Sequence, residues 1–338
     1  MARTRRVDTN GPGIRRRRRG AGFSYHEEDG ELITDAATVE RIKELAIPPA
    51  WTDVWISPHP RGHIQATGYD DAGRKQYLYH DAWREKRDRL KFADTLEFAR
   101  ALPALRARVE GGLEQRGLVL ERVSSCAVRL LDLGLFRIGS DRYEEENESY
   151  GLTTLKNEHL QFGRGEVVFD YPSKSGKRSR HTITDRTVLP VLKALSKRTE
   201  QGGDLLIYRD GRDWQSLHSD QVNDLIKEEA GEDFSAKYFR TWNATVLAAT
   251  LLAHHTEDAT SASACKRIAN LAIRQTAEYL NNTPAVCRAS YIDPKVFDRF
   301  NSGETVRPAL KRIERRTDPG SFVDREKIEA AVIGLLED

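Results

Sequence analysis

The stretch 235–255 reads SAKYFRTWNATVLAATLLAHH. It opens with Lys237 and Arg240, spaced to share one face of a helix. After Arg240 it turns almost wholly apolar. A helix that is apolar all round is buried, so this one belongs at the centre of a helical domain, with its first turn held firmly. Its apolar part, Val246 to Ala253, falls well short of the roughly 20 residues that cross a membrane. An arginine on so rigid a frame is either a structural cation or one pre-organised for bidentate contact with an anion.

Working outward, the sequence predicts further helices at 94–109, 115–135, 185–198, 217–229, 260–280, 284–291, 294–300 and 322–336. One strand pair interrupts them: GEVVFDYP (165–172) and RSRHTITD (178–185), joined by the turn Ser173-Lys174-Ser175-Gly176-Lys177. The tail after residue 301 is charged and reads as peripheral helices. Residues 22–80 follow another pattern. Asp35 caps a helix over Ala36 to Leu45, which Ile47-Pro48-Pro49 ends. WTDVWISP (51–58), GHIQATGYD (62–70) and RKQYLYH (74–80) then alternate as strands, with Asp70-Asp71-Ala72-Gly73 as a hairpin turn. From Asp81 to Val109 the chain is helical and heavily charged, and a domain boundary falls near residue 90. A chain of 338 residues exceeds what one core usually holds. The expected fold class is α+β. A small, mainly β N-terminal domain spans 22–90, and a larger, mostly α-helical C-terminal domain with a β-hairpin or small sheet spans 91–338.

With 54 Lys and Arg against 52 Asp and Glu, the formal net charge is +2. That excludes a uniformly cationic surface, so any nucleic-acid footprint must come from charge segregation. Residues 1–20, MARTRRVDTNGPGIRRRRRG, show such segregation. With one acid and no apolar run, they predict a disordered, arginine-rich tail over 1–21 and lack the hydrophobic region of a signal peptide. The three cysteines, Cys126, Cys265 and Cys287, are distant and odd in number. They fit neither a disulfide framework nor a zinc site, and they point to a reducing cytoplasm.

A phosphodiester gathers negative charge on its non-bridging oxygens as a nucleophile attacks in line. Without a metal, an enzyme needs several cationic or amide donors there, with a nucleophile and an acid for the leaving oxygen. Four segments offer such groups. LGLFRIGSDRYEEENESYGLTTL (133–155) carries Arg137 beside Gly139, as a snorkelling cation or a phosphate clamp. The hairpin turn carries Lys174, either solvated or able to drop into a groove and donate a proton. The helix above carries Lys237 and Arg240. NNTPAVCRASYIDPKVF (281–297) carries Tyr291 near the end of a short helix capped by Thr283 and Pro284. Phenols ionise near pH ~10 in water, so a tyrosine acting as nucleophile needs cationic neighbours.

Taken together, these segments resemble the type IB DNA topoisomerases, and most of all their small bacterial and poxvirus forms. FRIGSDRYEEENESYGLTTLKNEHL, FDYPSKSGK, AKYFRTWNAT and NTPAVCRASYIDP carry the resemblance, together with the N-terminal GRKQYLYH. It covers roughly residues 22–315. It implies a supercoil-relaxing enzyme with Tyr291 as nucleophile and Arg137, Lys174, Arg240, Lys237 and Asn282 around the phosphate. It also implies duplex DNA contacts from Arg74, Gln76, Tyr77, Tyr79 and Tyr143. The family works as a monomer on double-stranded DNA with no nucleotide cofactor, no metal and no membrane, which here means the bacterial nucleoid. The chain departs from the family pattern at Asn282, where the family commonly has histidine. An asparagine amide can donate a hydrogen bond but cannot carry charge. Lys75, Lys156, Lys177, Arg178 and Arg180 add candidate phosphate contacts. Two alternatives share this fold: a tyrosine site-specific recombinase, whose motif has histidine where Lys237 stands, and a noncatalytic DNA-binding protein.

Overall fold

The computed structural model describes residues 4–134, 136–139, 149–198, 203–314 and 322–337. The chain forms two compact units, Met1–Phe92 and Ala93–Asp338.

The first unit is built on an antiparallel five-stranded sheet in the order β2-β1-β3-β4-β5. Its strands are β1 (Ile14–Arg19), β2 (Gly22–His26), β3 (Thr52–Ile56), β4 (Ile64–Tyr69) and β5 (Lys75–Tyr79). Helix α1 (Ala36–Glu44) starts where the Asp35 carboxylate accepts from the Thr38 backbone N–H at 2.8 Å. It inserts Ile42 among Ile14, Val54, Ile56 and Ala66. At the β4–β5 turn, Gly73 takes φ +71°, and the Asp70 carboxylate accepts from the backbone N–H groups of Ala72 and Arg74.

The arginine run overturns the expectation of a disordered tail over 1–21. Arg15 to Arg19 pair residue by residue with β2, from Arg15 opposite His26 to Arg19 opposite Gly22. Ile14 anchors the strand at 2% exposure. Gly13 must be glycine, because a Cβ there would meet the Trp55 indole nitrogen at 2.0 Å. Strand alternation turns Arg16 inward, where its guanidinium donates to the carbonyls of Ile47, Pro48 and Trp51. It also lies 4.1 Å from the centre of the Phe23 ring. Composition counts five like charges; it does not see that an arginine stem can be buried while its head is satisfied by carbonyls.

Helix α2 (Asp81–Leu113) runs unbroken past Pro103. After it come α3 (Leu120–Asp132), β6 (Leu160–Phe162), β7 (Val167–Ser173), β8 (Lys177–Ile183), α4 (Leu189–Ser196), β9 (Ile207–Asp210), β10 (Asp213–Ser216) and α5 (Ser219–Ala230). The chain continues with α6 (Lys237–His254), α7 (Ala262–Tyr279), α8 (Pro284–Ser290), α9 (Lys295–Asn301), α10 (Arg307–Glu314) and α11 (Phe322–Glu337). The strand pair expected at 165–185 is part of a three-stranded sheet, β6-β7-β8. A second hairpin, β9–β10, was not expected; it turns through Gly211-Arg212, with Gly211 at φ +58°.

Helix α6 is the axis of the second unit. It is buried from Tyr238 to Thr245 and again at Ala248, Ala249, Leu252 and Ala253. Helices α3, α7, α9, α10 and α11 pack around it. Phe239 and Trp242 are each 1% exposed. Phe98 stands edge-on to Phe239 with ring centres 5.0 Å apart. Burying one such side chain stabilises the fold by about 1.5–3 kcal/mol, enough to fix the residues on the first turns of α6. The architecture is α+β, with a sheet-based first unit and a mostly helical second one.

Candidate active site

Tyr291 sits where α8 ends. Thr283 caps that helix, accepting from the Val286 N–H at 3.4 Å, and Pro284 fills its first turn. Tyr291 leaves the helical conformation with φ −130°. Thr245 of α6 fixes this exit, its hydroxyl donating to the Tyr291 carbonyl at 3.3 Å and accepting from the Asp293 N–H at 3.1 Å. Earlier on α6, the Arg240 guanidinium lies beside the Tyr291 side chain, its carbon 5.5 Å from the ring centre.

Arg240 is 5% exposed. One terminal nitrogen donates to the Leu280 carbonyl at 2.7 Å. Its Nε is buried and has no acceptor among the described residues. Burial pushes its pKa down to about 10, with Arg137 pushing the same way and the Tyr291 phenol opposing both. A buried cation beside a like charge, with a donor left over, is the electrostatic state an anion relieves.

Arg137 is held by its neighbours. Phe136 is fully buried, edge-on to Phe169 at 4.9 Å. The Arg137 and Ile138 carbonyls each accept at 2.8 Å, from the backbone N–H groups of Leu152 and Thr153. The two segments lie so close that a Cβ on Gly151 would meet the Gly139 Cα at 2.3 Å. Arg137 then donates to the Asn282 side-chain oxygen at 2.7 Å. A guanidinium only donates, so the amide oxygen must face it and the NH₂ must face away. That NH₂ is also buried without an acceptor among the described residues. The structure therefore brings Tyr291, Arg240, Arg137 and Asn282 together.

The two lysines are placed differently. Lys174 is exposed and opens the one-turn helix Lys174–Gly176 at the β7–β8 tip. Lys237 shares its helix with Arg240 but is exposed, its ammonium 4.9 Å from the centre of the Tyr238 ring. Among the described residues, no hydrogen bond or ion pair joins it to Tyr291, Arg137 or Asn282.

A buried charge network that sequence reading missed lies beneath these groups. Arg106 bonds Asp132 at 2.9 Å and Glu329 at 2.6 Å. Arg325 bonds Asp132 at 3.0 Å and the Asn243 side-chain oxygen at 2.6 Å. Asn243 donates back to the Asp132 carbonyl at 3.1 Å. Burial alone would raise the Asp132 carboxyl, yet Arg325 and Arg106 hold it below the ordinary range. The network ties α11 to the end of α3, which leads to Arg137, and to α6, which carries Arg240.

In the first unit, Tyr77 and Tyr79 are exposed on one face of β5, their rings stacked at 6.2 Å. Alternation puts Gln76 on the other face, where its amide donates to Asp70 at 2.9 Å. Arg74 also pairs with Asp70, at 2.9 Å. Beside Tyr79 opens a cavity of about 480 Å³ lined by Arg6, His63, Trp83, Arg84 and Arg87. None of these three arginines pairs with a carboxylate among the described residues. In the second unit Lys156 is tied to Asp204 at 2.7 Å and Arg178 to Asp170 at 2.5 Å. Tyr143 lies outside the described residues. Among those residues, no His, Cys, Asp and Glu cluster is suited to a metal ion, and no helix is long and apolar enough to cross a membrane.

Comparison with known proteins converges on one family. Residues 80–316 match the family model of the eukaryotic DNA topoisomerase I catalytic core. Residues 22–70 match that of the bacterial DNA topoisomerase IB N-terminal domain. The chain is 31% identical over 288 residues to DNA topoisomerase 1B of Acanthamoeba polyphaga mimivirus, covering 83% of this chain and 85% of the viral protein. It is 22% identical over 292 residues to DNA topoisomerase 1B of Vaccinia virus (strain Copenhagen), covering 80% and 88%. With DNA topoisomerase 1 of Schizosaccharomyces pombe it shares 26% over 223 residues, 65% of this chain and 26% of that protein. Both halves of the sequence, in order, therefore place this chain in the type IB DNA topoisomerase family.

Proposed function

We propose that this protein relaxes supercoiled duplex DNA through a transient 3′-phosphotyrosine at Tyr291. The phenol oxygen attacks one phosphorus, the P–O5′ bond breaks, and the strand leaves as a 5′ hydroxyl. Arg137, Arg240 and Asn282 receive the non-bridging oxygens. Lys174 gives its proton to the departing 5′ oxygen, while the Tyr291 proton passes to solvent. The nicked duplex swivels, and the 5′ hydroxyl attacks back along the same path. The covalent link conserves the energy of the broken bond, and guanidinium and amide donors meet the phosphate charge. The proposed cycle therefore runs without ATP and without a metal ion.

The observation that carries this reading is the pair of buried donors, Arg240 Nε and Asn282 Nδ2, left without acceptors among the described residues where the Arg240 guanidinium lies beside the Tyr291 ring. We assign Tyr77, Tyr79 and the arginine-lined cavity beside Tyr79 to the DNA backbone and grooves, and exposed Lys237 to a phosphate contact. Arg74 and Gln76, bound to Asp70, position that strand. We place the protein, as a monomer, on the DNA of a bacterial cytoplasm. Its three cysteines are unpaired, and its N-terminal match is to a bacterial domain.

The deciding experiment is plasmid relaxation in EDTA without ATP, with Tyr291→Phe alongside. The wild type should relax the plasmid. The variant should bind DNA with unchanged affinity and form no covalent adduct. A normal adduct level in Tyr291→Phe removes Tyr291 from the reaction.

A further inference from the structure

We propose that Asn281 is a positioning residue for proton delivery, docking the hairpin that carries Lys174 onto the segment that carries Asn282 and Tyr291. This rests on the reading of Lys174 as the acid.

Asn281 follows the end of α7 with φ +52°. Glycine meets that conformation at least cost, and asparagine is among the few other residues that adopt it. The choice of asparagine is explained by what its side chain reaches. Its Nδ2 lies 3.0 Å from the Ser179 hydroxyl, 3.4 Å from the Ser173 hydroxyl and 3.4 Å from the Arg178 carbonyl. Ser173 precedes Lys174 directly and stands opposite Lys177 in the ladder. Its hydroxyl closes the turn by donating to the Lys177 carbonyl at 2.9 Å. Ser173 and Ser179 are each 4% exposed. One amide therefore grips both strands at the base of the turn, and Lys174 projects just beyond the grip.

The backbone at this junction is secured separately. The Asn281 N–H donates to the Glu278 carbonyl at 3.0 Å, and the Asn282 N–H to the Ala277 carbonyl at 2.8 Å. Removing only the Asn281 side chain therefore loosens the hairpin and leaves Asn282 in place.

The step in question moves one proton from the Lys174 ammonium to the 5′ oxygen as the P–O5′ bond breaks. It leaves a neutral amine that solvent reprotonates. A substrate with bridging sulfur in place of that oxygen expels a thiolate and needs no such proton. Single-turnover cleavage of both substrates separates docking of the acid from general damage.

Asn281→Gly keeps the backbone conformation. It should slow cleavage of the oxygen substrate about three- to tenfold, the range set by loss of one hydrogen-bonded tether. It should leave the sulfur substrate and DNA affinity at wild-type values, with a melting temperature showing that the protein is folded. Equal slowing of both substrates, or of neither, overturns the proposal. Lys174→Ala is the control. If it slows both substrates alike, Lys174 is not the acid and both readings fall. If it slows only the oxygen substrate while Asn281→Gly does not, only Asn281 falls. In the Lys174→Ala background, Asn281→Gly should add no further oxygen-specific loss, because there is no acid left to position; a full additional loss overturns the proposal.

Discussion

Replacing Asn282 with aspartate swaps an NH₂ for a carboxylate oxygen at nearly constant volume, and it should move stability and activity in opposite directions. In the free protein the Asn282 oxygen already accepts from Arg137 at 2.7 Å, and its NH₂ is buried without an acceptor. Aspartate keeps the first contact, now charge-assisted, and removes the unsatisfied donor, a group that typically costs about 1–3 kcal/mol. The melting temperature in the absence of DNA should hold or rise. With a phosphate in the site the balance reverses. Loss of a donor to a developing oxyanion costs about 10²–10³-fold in rate. A new carboxylate about 4 Å from a phosphate oxygen adds repulsion of roughly 4 kcal/mol at an effective dielectric of about 20, part of which Arg137 cancels. Asn282→Ala should thus lose about 10²–10³-fold, and Asn282→Asp at least about tenfold more. Single-turnover covalent adduct formation measures the rates, and thermal melting at the same ionic strength measures the stabilities. An Asn282→Asp rate within threefold of wild type, or a fall in its melting temperature, would refute the reasoning.

Asp132→Asn should destabilise the second unit by about 3–5 kcal/mol in urea titration, because Arg106 and Arg325 would lose the carboxylate both contact at the end of α3. Gly134→Ala should cost about 1–3 kcal/mol, since Gly134 has φ +83° and a Cβ there would meet the Asn243 amide at 2.8 Å; a melt shows it directly. His181 is pushed down from 6.5 to about 4, first by burial and then by Arg240. The unfolded chain takes up that proton near pH 6.5 while the folded one resists it to about pH 4. Stability from this group is therefore complete above the first value and is lost as pH falls toward the second. His181→Phe should flatten that acid limb of the melting profile.

Features that write themselves into local sequence were legible. The apolar run of α6 marked the axis of the larger unit, and Thr283-Pro284 marked the start of the helix that delivers Tyr291. Features made by distant pairs were not. Arg325 and Asp132 meet across 193 residues, and no periodicity announces such a contact. Asn281 fell between two expected helices and drew no reading, because its positive φ and its reach to the β7–β8 hairpin are made only on folding. Lys237 was grouped with Arg240 because residues spaced by three neighbour each other on a helix. Neighbouring positions at the rim of a buried helix can still differ completely in exposure. The β9–β10 hairpin did carry a signal, Gly211-Arg212 between short alternating runs, which the surrounding helical patterns masked.

The arginine run of β1 also changes what a protease meets. Five successive arginines are the densest group of tryptic bonds in the chain, yet each from Arg15 to Arg19 is laddered to β2. A protease must draw its substrate into an extended, unpaired form, so cleavage here waits for the hairpin to open. Limited trypsin digestion should cut elsewhere first, and the moment these bonds yield would report unfolding of the sheet itself.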